Sequence, residues 1–205
     1  MELPNRRSVA MGRKADLTRN TTETRIQAAI DLDGRGRTDL STGIAFFDHM
    51  LKLMAVHGFL DLQLHAEGDL DVDFHHTVED VGIVLGQMLS KALGDRKGIR
   101  RFGFAVTPMD EALATATIDL SNRPFLVFLA PSADTGSNGF DFSLAKEFFR
   151  AFAVHGGMNL HIEVRYGENR HHMLEAVFKS VGRALNQAVS HDRRIAGVRS
   201  TKGSL

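Results

Sequence analysis

Apolar and polar residues follow a period of two in some stretches and a helical period in others, and the succession occurs twice. TRIQAAIDLDG, Thr24 to Gly34, alternates and closes on glycine, which predicts a strand and a turn. From Ile44 to Val56, Phe46, Phe47, Met50, Leu51 and Met54 recur at helical spacing, and Gly58 stops the run. LDLQLHAEG, Leu60 to Gly68, alternates as a strand. Thr77 to Leu93 then sets Val81, Val84, Leu85, Met88 and Leu89 on one helical face, with Gly94 at its end. The second half predicts strands near Phe102–Val106, Ala112–Leu120 and Phe125–Leu129. A helix over Ser143–Val154, a strand over Met158–Val164 and a helix over Met173–Val189 follow. PSADTGSNG, Pro131 to Gly139, has the residues of a loop.

Short identities repeat in the same order. IDL stands at Ile30 and Ile118, AVHG at Ala55 and Ala153, and HHxxE at His75 and His171. This order predicts an internal duplication, with half-repeats over residues 20–98 and 99–191 packed as one globular unit. Each half reads as strands, helix, strand, helix, and its helices can cover one sheet face. The expected fold class is an α/β (α+β) two-layer sandwich. Residues 1–19 read as a polar, mobile N-terminal tail, and residues 192–205 form a C-terminal tail.

Composition narrows the function. Lys plus Arg equals Asp plus Glu, so the formal net charge is zero and no bulk basic field invites nucleic acid. No apolar run is long enough to span a bilayer, and the N-terminus has no apolar signal core. There is no cysteine, which removes disulfides and thiolate chemistry and fits a cytoplasmic location. Any metal must use nitrogen and oxygen ligands.

Of the ten histidines, the repeats pair six: His57 with His155, His75 with His171, and His76 with His172. His57 and His155 each precede a glycine at a helix end, where a cation suits the helix dipole, and need no further role. The HHxxE pairs differ because each sits where a loop enters a long helix. His75 or His76 can converge with Glu79 on one ion, and His171 or His172 with Glu175. Adjacent histidines point about 100° apart around a helix axis, so each pair divides between two metals or two subunits. His49 and His161 are the natural further ligands. An imidazole and carboxylate shell suits Zn²⁺, Fe²⁺ or Mn²⁺, with a six-coordinate site tipping towards Mn²⁺ or Fe²⁺. The residue order excludes an HExxH site, and Phe74 and Asp80 break an EF-hand reading of the loop from Asp69.

With FFDHML (46–51), DVDFHHTVED (71–80), LGDRKGIRRFG (93–103), PMDEAL (108–113), NLHI (159–162), HHMLEAVFK (171–179) and STKG (200–203), the chain resembles the imidazoleglycerol-phosphate dehydratase family. The likeness runs from about Arg19 to the C-terminus. It implies a ribosomal-protein-S5-domain-2-like unit, duplicated, in a homo-oligomer of 24 subunits whose active sites lie at subunit interfaces. It implies two Mn²⁺ per active site, held by His49, His75, His76, Glu79, His161, His171, His172 and Glu175. The implied reaction, in L-histidine biosynthesis, takes D-erythro-imidazole-glycerol phosphate to imidazole-acetol phosphate through a metal-stabilised imidazolate and a diazafulvene-like intermediate. The carboxylates of the catalytic centre would be Glu23, Glu79 and Glu175. On its own, Glu23 in TTETRI reads as a solvated strand-end residue; the resemblance makes it the general acid/base. Arg101, Arg123, Lys179, Ser200 and Lys202 match the family's phosphate-binding positions, where scattered basic residues alone would read as surface charge. Leu53, Phe74 and Arg199 depart from residues common in the family, and none is an implied ligand.

Two other readings compete. A dinuclear hydrolase could use the same His/Glu set with a bridging hydroxide. A non-enzymatic assembly could use its metals only to staple subunits.

Overall fold

The computed structural model describes residues 12–131 and 139–205. The expected N-terminal tail up to residue 11 and the expected loop over residues 132–138 lie outside the described residues. Among the described residues, twelve elements follow in order: β1 (Lys14–Asn20), β2 (Thr24–Asp31), β3 (Thr38–Ser41), α1 (Ala45–Gly58), β4 (Asp61–Gly68), α2 (His75–Leu93), β5 (Phe102–Met109), β6 (Ala112–Asp119), β7 (Phe125–Leu129), α3 (Phe142–Gly156), β8 (Asn159–Tyr166) and α4 (Arg170–Val189). The fold is α+β and internally duplicated. One sheet has the order β1-β2-β4-β3 and the other β5-β6-β8-β7. In each, the last pair is parallel and the others antiparallel, because a helix carries the chain back between the parallel strands.

Strict alternation puts Ile26, Ala28 and Ile30 of β2, and Leu62, Leu64 and Ala66 of β4, on the buried face of the first sheet. α2 covers β1 and β2, and α4 covers β5 and β6. Each half is thus a sheet with one face under helices, as the pattern predicts. The halves then join helix to helix, α2 on α3 and α1 on α4, and one core runs through both. Phe47, Phe148, Phe149, Phe152 and Phe178 fill its middle. Phe148 meets Phe152 at 5.9 Å and Phe178 at 5.6 Å, each in a stacked arrangement. Burial of each such ring contributes about 1.5–3 kcal/mol.

The polar tail expected over residues 1–19 is corrected at its inner end. Lys14–Asn20 form β1, paired along its whole length with β2. Ala15 is buried and Leu17 packs on the core, while Lys14, Asp16 and Thr18 point away. Two small or medium apolar residues among five polar ones read as a tail, yet they suffice for an edge strand with one solvated face. Arg19 secures it, donating to Asp80 of α2 at 2.9 Å, and Asp80 also accepts from the Thr24 hydroxyl. β3 is four residues long and half exposed, too short to show a period.

α2 and α4 both start earlier than the apolar spacing predicts, at His75 and Arg170. The Asp73 carboxylate accepts from the His75 N–H at 2.7 Å, and the Asn169 amide oxygen from the His171 N–H at 2.9 Å. These polar contacts satisfy open helix N–H groups and pull each His-His pair into the first turn.

Candidate active site

The first turn of α4 and the facing turn of α1 make a compact donor cluster. His49 Nε2 lies 2.9 Å from Glu175 Oε1, and His171 Nε2 lies 3.0 Å from the same oxygen. One ligand atom from each of His49, His171 and Glu175 falls within 4.8 Å of the other two. Lys179, one turn further along α4, donates to Glu175 Oε2 at 2.5 Å. Glu175 is only 7% exposed. Burial pushes its carboxyl up, but hydrogen bonds from Lys179, His49 and His171 outweigh burial and hold it at about 2. It is therefore a carboxylate at every working pH.

The repeat-related cluster lies on α2 and is looser. His75 Nε2 is 3.6 Å from Glu79, and Glu79 is 3.4 Å from Arg150 of α3. In both clusters the adjacent imidazoles diverge, as helix geometry requires. His75 and His171 face the glutamate of their own helix, whereas His76 and His172 face other carboxylates.

His76 and His172 each turn to a carboxylate outside the implied ligand set. His76 Nδ1 is 2.9 Å from Asp69, and His172 Nδ1 is 2.7 Å from Glu111. The Asp69 contact raises the basicity of His76, and the Glu111 contact that of His172. The same contact holds Glu111 at about 2. A carboxylate on Nδ1 fixes the ring and leaves Nε2 as the nitrogen available to a ligand. Glu23 lies beside this pair, 3.9 Å from His76 Nε2. The donor set fits a divalent cation of borderline hardness: imidazole nitrogens backed by carboxylates, a converging glutamate and no thiolate.

His161 is apart from these clusters. It alternates with buried Leu160 and Ile162 on β8, so it faces away from the helices. Phe104, Val106, Val127 and Leu129 share that outer face with it.

Arg101, Arg123, Ser200 and Lys202 line a cleft of about 610 Å³ together with Phe102, Asn122 and Arg199. The C-terminal segment forms one wall. Lys179, expected with them, is instead bound to Glu175. The cleft lies at the far end of α4, where the Arg101 N–H donates to the Ala188 carbonyl. With a rise of about 1.5 Å per residue, Glu175 and Ala188 stand about 20 Å apart along the helix. Of the departures, Leu53 and Phe74 pack against the core, and Arg199 lines the cleft.

The residue pattern does not mark Asp69, Glu111 or Arg199 as parts of a site. The first two stand in or beside the quoted motifs, but only the folded chain turns their carboxylates onto histidines.

Residues 42–185 match the family model described as imidazoleglycerol-phosphate dehydratase. Among curated relatives, the imidazoleglycerol-phosphate dehydratase of Desulfosudis oleivorans is 64% identical, over 95% of this chain and all of the relative. That of Syntrophobacter fumaroxidans is 58% identical, over 94% of this chain and 98% of the relative. Among solved structures, the Staphylococcus aureus enzyme superposes with a TM-score of 0.79 at 36% identity, covering 87% of this chain and 99% of that one. The Pyrococcus furiosus enzyme, solved with (S)-C348, gives 0.80 at 37% identity, covering 92% and 100%. With the donor clusters and the basic cleft in place, these likenesses mean that the chain belongs to the imidazoleglycerol-phosphate dehydratase family, whose members are carbon–oxygen hydro-lyases.

Proposed function

We propose that this chain, in the cytoplasm, dehydrates D-erythro-imidazole-glycerol phosphate to imidazole-acetol phosphate, using Mn²⁺ held by its histidine and glutamate clusters. The observation that carries this reading is the convergence of His49, His171 and Glu175, in a chain that also builds the cleft of Arg101, Arg123, Ser200 and Lys202. His49, His75, His76, Glu79, His161, His171, His172 and Glu175 would hold the metal. Bound Mn²⁺ supplies positive charge that favours the anionic form of an imidazole ring.

The chain's own groups do the rest. Arg123 and Lys202 attract the phosphate, and the Ser200 hydroxyl can donate to it. Glu23, beside His76, serves as the general acid/base at the glycerol carbons. The hydroxyl on the carbon next to the ring leaves as water, a proton leaves the next carbon, and the resulting enol becomes the ketone. Atoms balance as one substrate giving one ketone and one water, and the phosphate is retained.

The working site is assembled between subunits of a 24-subunit shell. Two features support a site shared between subunits. A three-carbon linker with bonds of about 1.5 Å cannot reach from the Glu175 cluster to the Arg101 cleft of the same chain. In addition, Phe104, Phe125 and Leu129 are exposed on the outer face that carries His161, and an apolar face of this kind suits a subunit contact. No described helix is long and apolar enough to cross a membrane.

Turnover of imidazole-glycerol phosphate by metal-stripped and Mn²⁺-restored protein tests the reading. The restored sample should give a ketone that keeps its phosphate. No turnover, or release of inorganic phosphate, would overturn it.

A further inference from the structure

One acid stands against the basic cleft and has no part in the scheme above. Asp119, the last residue of β6, pairs with Arg101 through two bonds: Nε to Oδ1 at 2.6 Å and Nη2 to Oδ2 at 3.0 Å. A carboxylate beside a phosphate site repels the ligand unless it contributes more by holding a cation in place. Arg101 is held on all sides. Its φ is +71°, its N–H donates to Ala188 at 2.9 Å, and its carbonyl accepts from Leu120 at 3.0 Å. Its guanidinium lies 4.8 Å over the Phe102 ring. Its remaining terminal nitrogen, Nη1, donates to the Arg199 carbonyl at 2.6 Å. That carbonyl immediately precedes Ser200, so the bond fixes where Ser200 and Lys202 enter the cleft.

We propose that Asp119 is a positioning residue for phosphate recognition: it orients the Arg101 fork, and through Arg199 the fork sets the C-terminal wall of the cleft. This rests on the cleft being the phosphate site. The Arg101–Asp119 pair is neutral as a unit. Attraction for the anion therefore comes from Arg123, Arg199 and Lys202, while Arg101 contributes geometry and the N–H groups that Asp119 and Arg199 leave open. Lysine cannot replace such a fork, and asparagine offers it one acceptor oxygen while its NH2 group, a donor, faces the other guanidinium N–H.

The test uses the full-length, metal-loaded protein, with calorimetric titration of inorganic phosphate beside steady-state kinetics. Asp119→Asn should weaken phosphate binding and raise KM by about ten-fold or more, with kcat preserved. Arg101→Lys should do the same. The double variant should be no worse than either single one, because both remove one unit. Wild-type phosphate affinity in Asp119→Asn, or full additivity in the double variant, would overturn the proposal. If Asp119→Asn does not fold, Asp119→Glu keeps the charge but displaces the fork; an unaltered phosphate affinity there overturns it equally. Phosphate binding is read without turnover, so failure of the dehydratase reading would be seen separately, as wild-type protein that binds phosphate but leaves imidazole-glycerol phosphate unchanged.

Discussion

Gly58 of α1 meets Gly182 of α4 backbone to backbone, and the repeat-related pair, Gly156 of α3 and Gly86 of α2, meets in the same way. A Cβ on Gly182 would overlap the Met54 carbonyl oxygen, and one on Gly86 would stand 2.8 Å from the Gly156 nitrogen. These contacts let the helix layers of the two halves approach closely enough to share one core. Close approach at α1–α4 also sets the reach of His49 to Glu175.

Gly182→Ala is expected to force α1 and α4 apart and to cost about 1–3 kcal/mol, since backbone atoms cannot rotate away. Denaturant unfolding should show the midpoint fall. Gly197→Ala is the control, because an added methyl group there meets nothing within 4 Å; it should change stability by less than about 0.5 kcal/mol.

Glu175 ties stability to pH. Its folded-state carboxyl is lowered from 4.5 to about 2, so its contribution is complete above the unfolded value and is lost as pH falls through about 2. Metal-stripped wild type should therefore lose stability between about pH 4.5 and 2 more steeply than metal-stripped Glu175→Gln, by on the order of 2 kcal/mol. Parallel stability curves for the two would sink this assignment.

His76→Ala and His172→Ala should each lose metal and activity. Their supporting carboxylates give a finer test. Asp69→Asn and Glu111→Gln leave the imidazoles in place but release them, and each should lower Mn²⁺ affinity about 10–100-fold. Unchanged affinity in a metal titration would remove that carboxylate from the site.

Asp80 belongs to the HHTVED motif but is turned inward onto Arg19 and Thr24. Asp80→Ala should cost about 3 kcal/mol by breaking a buried pair, while metal bound per folded chain stays at the wild-type level. Lost metal in a variant that remains folded would make Asp80 a ligand instead.

The distance along α4 predicts complementation. His171→Ala and Lys202→Ala should each be inactive alone. Co-expressed in one oligomer, they should restore about a quarter of the sites, the share expected from random mixing of two subunits. No recovery in mixed oligomers would place both groups of residues in one protomer.

The element types and the repeat are legible in the residue pattern alone. Alternation in TRIQAAID and helical spacing in FFDHML are local properties, set by the few neighbours that each side chain meets along its own element. The divergence of His75 from His76 is local too, because it follows from the turn of one helix. The sequence left β1 hidden, since an edge strand with one wet face has a weak period, and it placed the starts of α2 and α4 too late, because Asp73 and Asn169 extend them with polar contacts. Three relationships emerge only on folding: His49 crosses from α1 to Glu175, Asp69 and Glu111 back the second histidines, and Asp119 holds Arg101. Folding also sets the donor cluster and the basic cleft at opposite ends of α4. Those relationships join residues far apart in the chain, and their geometry comes from packing helix on helix and sheet on helix, which no stretch of residues encodes alone.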